Sequence, residues 1–215
     1  MKTYSVTVAP ASEPVTLAAL KRHLRVDWAD DDAVLNDMLI SARQWLERIS
    51  GRLLLTQTVQ MVTTLYDDII QPPISRLISD RYGERTLLAV ELQPSPVQSV
   101  TTVEFETKTN TWRQLNSGTE YLYDDLGSES SPYVYIADYV LSYWTGTYSG
   151  VGVYPVERRG PRLRVTYQAG YGASASNVPY TLQQAILQAA AFLYDNRGAP
   201  IPASLIPSEF TPWRL

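Results

Sequence analysis

Residues 30–51 read DDDAVLNDMLISARQWLERISG, and this stretch decides the fold. Val34, Leu35, Met38, Leu39, Ala42, Trp45, Leu46 and Ile49 recur at i, i+3/i+4, the spacing of an amphipathic helix with one apolar stripe. Asp30 or Asp31 can cap the free backbone N–H groups at its start, and the remaining carboxylates favour the positive end of the helix dipole. Gly51 follows Ser50 where the chain leaves the helix, a position at which positive φ costs glycine nothing. Arg43, Glu47 and Arg48 fall largely outside the apolar stripe.

Before this helix, Thr16 is a plausible N-cap for a shorter one carried by Leu17, Leu20 and Leu24 and fading near Val26. After it, from Leu53, the apolar period changes from 3.6 to 2. Strands are expected over 56–65, 86–92, 97–107, 112–115, 121–123, 133–136 and 162–168. Pro94-Ser95-Pro96 stops one of them, since proline cannot donate to a ladder. Val103 and Phe105 should share one face, with Glu104 and Glu106 on the other. Asn110 marks a turn that brings Trp112 back as a hairpin partner. Residues 66–84 read as an extended connection or long hairpin arm. Residues 139–154, rich in aromatics and glycine, read as an exposed loop or hairpin insertion.

A last helix is carried by Leu182, Ala185, Ile186, Ala189, Phe192 and Leu193 and ends over Asn196 to Gly198. The final stretch holds Pro200, Pro202, Pro207 and Pro212 and cannot be a long helix or a central strand. The order is that of an α+β fold. N-terminal helices pack with one C-terminal helix, a central antiparallel β block spans about 56–168, and an extended tail occupies 199–215. Residues 1–198 form one domain on this reading.

Composition bounds the chemistry. The 215 residues include no Cys and one His, His23. That excludes disulfides, cysteine-based zinc sites and thiol catalysis, and leaves a histidine-based triad or multi-histidine metal site without its parts. No apolar run approaches the length of a membrane span. Residues 4–11 end in Ala9-Pro10-Ala11 but are too short and too rich in Ser and Thr for a signal peptide. These features point to a cytoplasmic protein with no membrane partner.

The remaining chemical candidates each have a simpler reading. His23 belongs on the polar flank of the first helix. The Asp30–Asp32 triplet lacks the glycine and terminal glutamate of a calcium loop. Glu104 and Glu106, with Asp124-Asp125, could form the carboxylate pair of a glycoside hydrolase, but an exposed acidic strand face explains them as well. The glycine-rich stretches match no phosphate-cradling pattern. No cofactor, no metal and no enzymatic activity is expected.

Protein contact is the better use of the unusual residues. The net charge is −4, yet residues 101–150 hold two basic and seven acidic groups, and residues 151–215 six basic and three acidic. Such asymmetry allows one copy to complement the next. Tyr143, Trp144, Tyr148, Arg158 and Arg159 are candidate interface residues, because Tyr and Trp in loops suit partners with apolar and polar parts. The same loops could serve a β-rich carbohydrate- or receptor-binding module. The tail keeps Ile201, Leu205, Ile206, Phe210 and Trp213 between its prolines, unlike an ordinary disordered end, and suits docking in extended form.

Several segments together resemble the head–tail connector (head-completion adaptor) family of long-tailed bacteriophages. They are Leu17-x-x-Leu20-Lys21-x-His23-Leu24-Arg25-Val26-Asp27, the acidic triplet and long helix into Gly51-Arg52-x-Leu54, and Pro94-x-Pro96-Val97-Gln98-Ser99-Val100. Arg164-Val165-Thr166-Tyr167-x-Ala169-Gly170-Tyr171-Gly172 follows, then Val178-Pro179, the helix into Asn196-Arg197, and Ile201-Pro202-Ala203-Ser204 to Pro212-Trp213-Arg214. The match covers 15–60, 90–107 and 162–215; residues 66–90 and 116–160 are additional to short family members.

The resemblance implies a non-enzymatic virion protein of the neck, assembled in the host bacterial cytoplasm. Copies would form a homo-oligomeric ring, typically of twelve, below the portal protein, with DNA passing through a central channel without specific binding. A downstream connector or tail protein would join the opposite side. By position, portal contact falls to Leu205, Ile206, Phe210, Trp213 and Arg214.

Overall fold

A computed structural model describes residues 2–64, 77–80, 83–107, 109–124, 132–137, 140 and 161–210; at 77–80, 83–87 and 124 only the backbone is described. The chain divides into two compact units, Met1–Val8 with Thr58–Gln168, and Ala9–Gln57 with Ala169–Leu215. The mixed α+β class expected from the sequence is the observed one.

The second unit is helical. Helix α1 spans Leu17–Leu24, and the Thr16 hydroxyl accepts from the Ala19 N–H at 3.2 Å, as the sequence predicts. Helix α2 spans Asp32–Ser50 and ends at Gly51 with φ +67°. Asp31 is its N-cap by position, but its carboxylate makes no cap bond. It accepts instead from Tyr194 Oη at 3.1 Å and Trp28 Nε1 at 3.3 Å, while Asp32 accepts from Lys21 Nζ at 2.6 Å. Asp31 and Asp32 therefore fasten neighbouring segments instead of capping their own helix through their side chains. Helix α3 spans Tyr180–Asp195. Its Leu182, Ala185, Ile186 and Ala189 join Leu20 of α1 and Leu35, Leu39, Ala42 and Leu46 of α2 in one core.

The first unit is built of strands. β1 (Thr3–Val8), β2 (Gln57–Thr64), β5 (Val97–Glu106), β6 (Trp112–Gln114) and β9 (Arg162–Ala169) form a sheet in the order β1-β2-β9-β5-β6. β3 (Leu77–Asp80), β4 (Gly83–Glu91), β7 (Tyr121–Asp124) and β8 (Tyr133–Ala137) form a second, in the order β3-β4-β8-β7. The expected hairpin arm is realised where β3 pairs antiparallel with β4. Alternate residues of β2 and β9 are buried, among them Val59, Met61, Leu163, Val165 and Tyr167. Asn110 adopts φ +58° in the turn that returns β6 on β5. β1 was not expected: the segment weighed as a leader is an edge strand, antiparallel to β2.

Candidate interaction surfaces

Gly170 and Gly172 do more than end a strand. The Thr56 N–H donates to the Gly172 carbonyl at 3.0 Å and the Tyr171 N–H to the Leu54 carbonyl at 3.2 Å. This ladder brings Gly170, at φ +133°, against the Leu55 carbonyl, leaving no room for a Cβ.

The segment 54–57 is held from the other side by charge. Arg43 and Glu47, one turn apart on α2, are 6% and 8% exposed, although they fall outside the apolar stripe. Arg43 donates through Nε to Glu13 at 2.8 Å and through Nη1 to Glu47 at 2.8 Å. Glu47 Oε1 also accepts from the Leu54 N–H at 3.0 Å and from Gln57 Nε2 at 2.8 Å. Burial pushes the Glu47 carboxyl above its ordinary value, and the three donated bonds and the charge of Arg43 oppose this without cancelling it. Burial opposes the charge of Arg43, but Glu13 and Glu47 hold it more firmly protonated than an ordinary arginine.

The chain after α3 continues the helical unit. Two short 3-10 turns, Ala203–Leu205 and Ser208–Phe210, shape it. Ile206 is buried in the helical core, and Ile201, Leu205 and Phe210 pack against that core. The Arg52 guanidinium lies 5.5 Å from the Phe210 ring centroid and donates to Tyr171 Oη at 3.1 Å. An open groove of about 450 Å³ runs between Tyr180, Thr181, Gln184 and Gln188 of α3 and residues 204–207. The root of the expected docking tail is thus seated on its own unit. Ile206 is a core residue, whereas Leu205 and Phe210 keep partly exposed side chains. Trp213 and Arg214 lie outside the described residues, as do Tyr143, Trp144, Tyr148, Arg158 and Arg159. The aromatic loops on which a sugar-binding reading depends fall there too.

The paired carboxylates find partners. Both oxygens of Glu104 accept from Arg164, at 2.6 Å each, and both oxygens of Glu106 accept from Arg162. The Arg164 and Arg162 guanidinium carbons lie 4.4 and 5.4 Å from the Trp112 ring centroid. Glu106 is buried, so this is no exposed acidic face. Carboxylates engaged by guanidinium donors on both oxygens are poorly placed to protonate a glycosidic oxygen or activate water. His23 is exposed at the C-terminal end of α1, as expected of a polar flank. Among the described residues no cluster of three metal-ligating side chains occurs, and no helix is long and apolar enough to cross a membrane.

No family model matches the chain, and no curated protein matches it. Solved structures do. A chain from the neck of an empty GTA particle computed with C6 symmetry matches with a TM-score of 0.60 at 19% identity, over 94% of this chain and 88% of its own. A chain from the virion of a native gene transfer agent (GTA) particle matches with a TM-score of 0.59 at 19% identity, over 94% and 88%. One from the neck of the native GTA particle computed with C12 symmetry gives 0.59 and 19%, over 94% and 87%. At this identity the likeness establishes a shared fold.

Proposed function

We propose that the chain is a structural, non-enzymatic component of the neck of a phage-like particle, where copies form a ring between the portal and the tail or next connector. One observation carries the reading: its fold follows chains of GTA neck and virion structures over 94% of its length. The C6 and C12 symmetry of two of those structures supports a ring of copies, with twelve the expected number. The pairing of Glu104 and Glu106 with arginines supports the absence of hydrolytic chemistry.

In this ring, DNA passes through a central channel that does not grip it, since many phosphate contacts would hinder passage. The portal is met by the end of the chain, through the partly exposed Leu205 and Phe210 with Trp213 and Arg214. Ile206 serves as the anchor that fixes where the docking segment begins. Contact with a neighbouring copy or the tail-side partner is assigned to Tyr143, Trp144, Tyr148, Arg158 and Arg159.

Negative-stain imaging of the chain mixed with its portal tests the reading. Rings stacked on portals are expected, and copies that remain free would overturn it. Removal of 211–215 should weaken portal binding while leaving the unfolding midpoint unchanged. A cut at 199 would test something else, because it removes Ile206 from the core.

A further inference from the structure

All six residues of β1 are exposed. Tyr4 and Val6 share one side of it at 48% and 42% exposure, and Val8, beyond a register shift, is 59% exposed. Among the described residues β1 pairs with β2 alone, so its outer edge offers unpaired backbone groups. Sheets usually guard such an edge with charge, proline or a short strand. Thr3–Val8 has neither charge nor proline, and the next acidic or basic residue after it is Glu13. The preceding charge, Lys2, is drawn to Glu91 at 3.8 Å. A register shift between Val6 and Val8 leaves the stretch Thr3–Val6 regular.

The opposite end of the same sheet is β6. The Leu115 N–H donates to the Val103 carbonyl at 2.8 Å and the Thr107 N–H to the Thr111 carbonyl at 2.9 Å, so odd-numbered residues here bond toward β5. Alternation along an antiparallel strand then turns the N–H and C=O groups of Trp112 and Gln114 to the outer edge. Neither residue is charged. The charges behind them are paired, Arg162 with Glu106 and Arg164 with Glu104. An uncharged strand meets no repulsion there.

We propose that β1 of one copy adds to β6 of the next, continuing the five-stranded sheet from copy to copy. The inference rests on the ring reading above and names the surface by which neighbours join. Using one edge of each kind makes the contact head-to-tail, the type of interface that closes into a ring. The contact is also small. A six-residue strand is ~20 Å long, and strand addition at that length buries much less than the ~800 Å² per partner of a standard stable interface. Two free copies are therefore held weakly, and the edge pairs when other contacts gather the ring.

The absence of cysteine makes thiol crosslinking a clean test. The double variant Ser5→Cys/Gln114→Cys, assembled with the portal and treated with a short bis-maleimide, which adds one thiol at each end, should give a ladder of covalent multimers. Each single variant alone should remain single chains. Pairs formed by Ser5→Cys alone would mean that two β1 strands meet, and would overturn the proposal. Rings visible by negative stain without crosslinks in the double variant would overturn it while leaving the ring intact. A covalent ladder without rings would uphold the edge pairing and overturn the ring; absence of both overturns both. As a second measure, Val6→Lys should lower the multimer yield at least tenfold with an unchanged unfolding midpoint. An unchanged yield would also overturn the proposal.

Discussion

The molecule uses arginine–glutamate pairs in two ways. In the β unit, Arg162 and Arg164 lie across from Glu106 and Glu104 and against the Trp112 ring, with arginine side chains 31% and 25% exposed. In the helical unit, Arg43 and Glu47 are buried, and the Glu47 carboxylate also holds a backbone N–H and an amide side chain. The chemistry of the two is the same; what depends on each carboxylate is not. Removing a carboxylate from the first leaves a guanidinium that water can reach. Removing Glu47 takes the acceptor from the Leu54 N–H and leaves Arg43 only Glu13 and Gln57 Nε2 only a long bond to the Leu55 carbonyl, in a buried setting where lost partners are costly.

The largest expected effect is therefore at Glu47. Glu47→Ala should destabilise the chain by about 3–5 kcal/mol, the range for breaking one side of a buried ion pair, as read by urea unfolding. A cost equal to that of Glu104→Ala would erase the contrast. Next comes Gly170→Ala, which displaces the Leu55 carbonyl without touching a charge and should cost about 2 kcal/mol. If Glu47 matters because it fixes 54–57, the double variant will cost less than the sum of the two single costs. Full additivity would mean that they act separately.

Glu104→Ala should cost about 1 kcal/mol or less and lose part of that in 1 M salt, which screens exposed pairs. The Glu47→Ala cost should be unchanged by salt. The smallest effect concerns pH. Glu47 takes up its proton more readily folded than unfolded, because burial raises it above the ordinary 4.5. Its titration then adds stability as pH falls through the folded value toward 4.5, and that contribution is lost as pH rises through the folded value. Measured against Glu47→Gln, the native chain should gain across that window. The opposite slope would mean that the donated bonds outweigh burial.

Local signals carried far. The stripe from Leu35 to Ile49, the stop at Gly51, the Thr16 cap and the Asn110 turn each depend on a few consecutive residues, and each stands where the sequence puts it; Val34, read as the first member of the stripe, is instead 41% exposed. Glu104-x-Glu106 and Arg162-x-Arg164 were each visible as an alternating pair. Their union depends on β5 lying beside β9, a register that no stretch of either strand encodes. The burial of Arg43 and Glu47 has the same cause, since it is set by Glu13, Leu54 and Gln57. β1 shows the alternation of a strand in Tyr4, Val6 and Val8, but its partner β2 begins about fifty residues later. The tail's composition spoke for docking. It said less about Ile206, because an apolar side chain between prolines reads alike whether it meets a partner or its own core.

One bond sets a clock. The Leu54 amide lies in the connection after α2, where amides ordinarily exchange with solvent quickly. Its hydrogen is donated to a buried carboxylate. Exchange at Leu54 must wait for the helical core to open, so this loop position keeps the time of the helices beneath it.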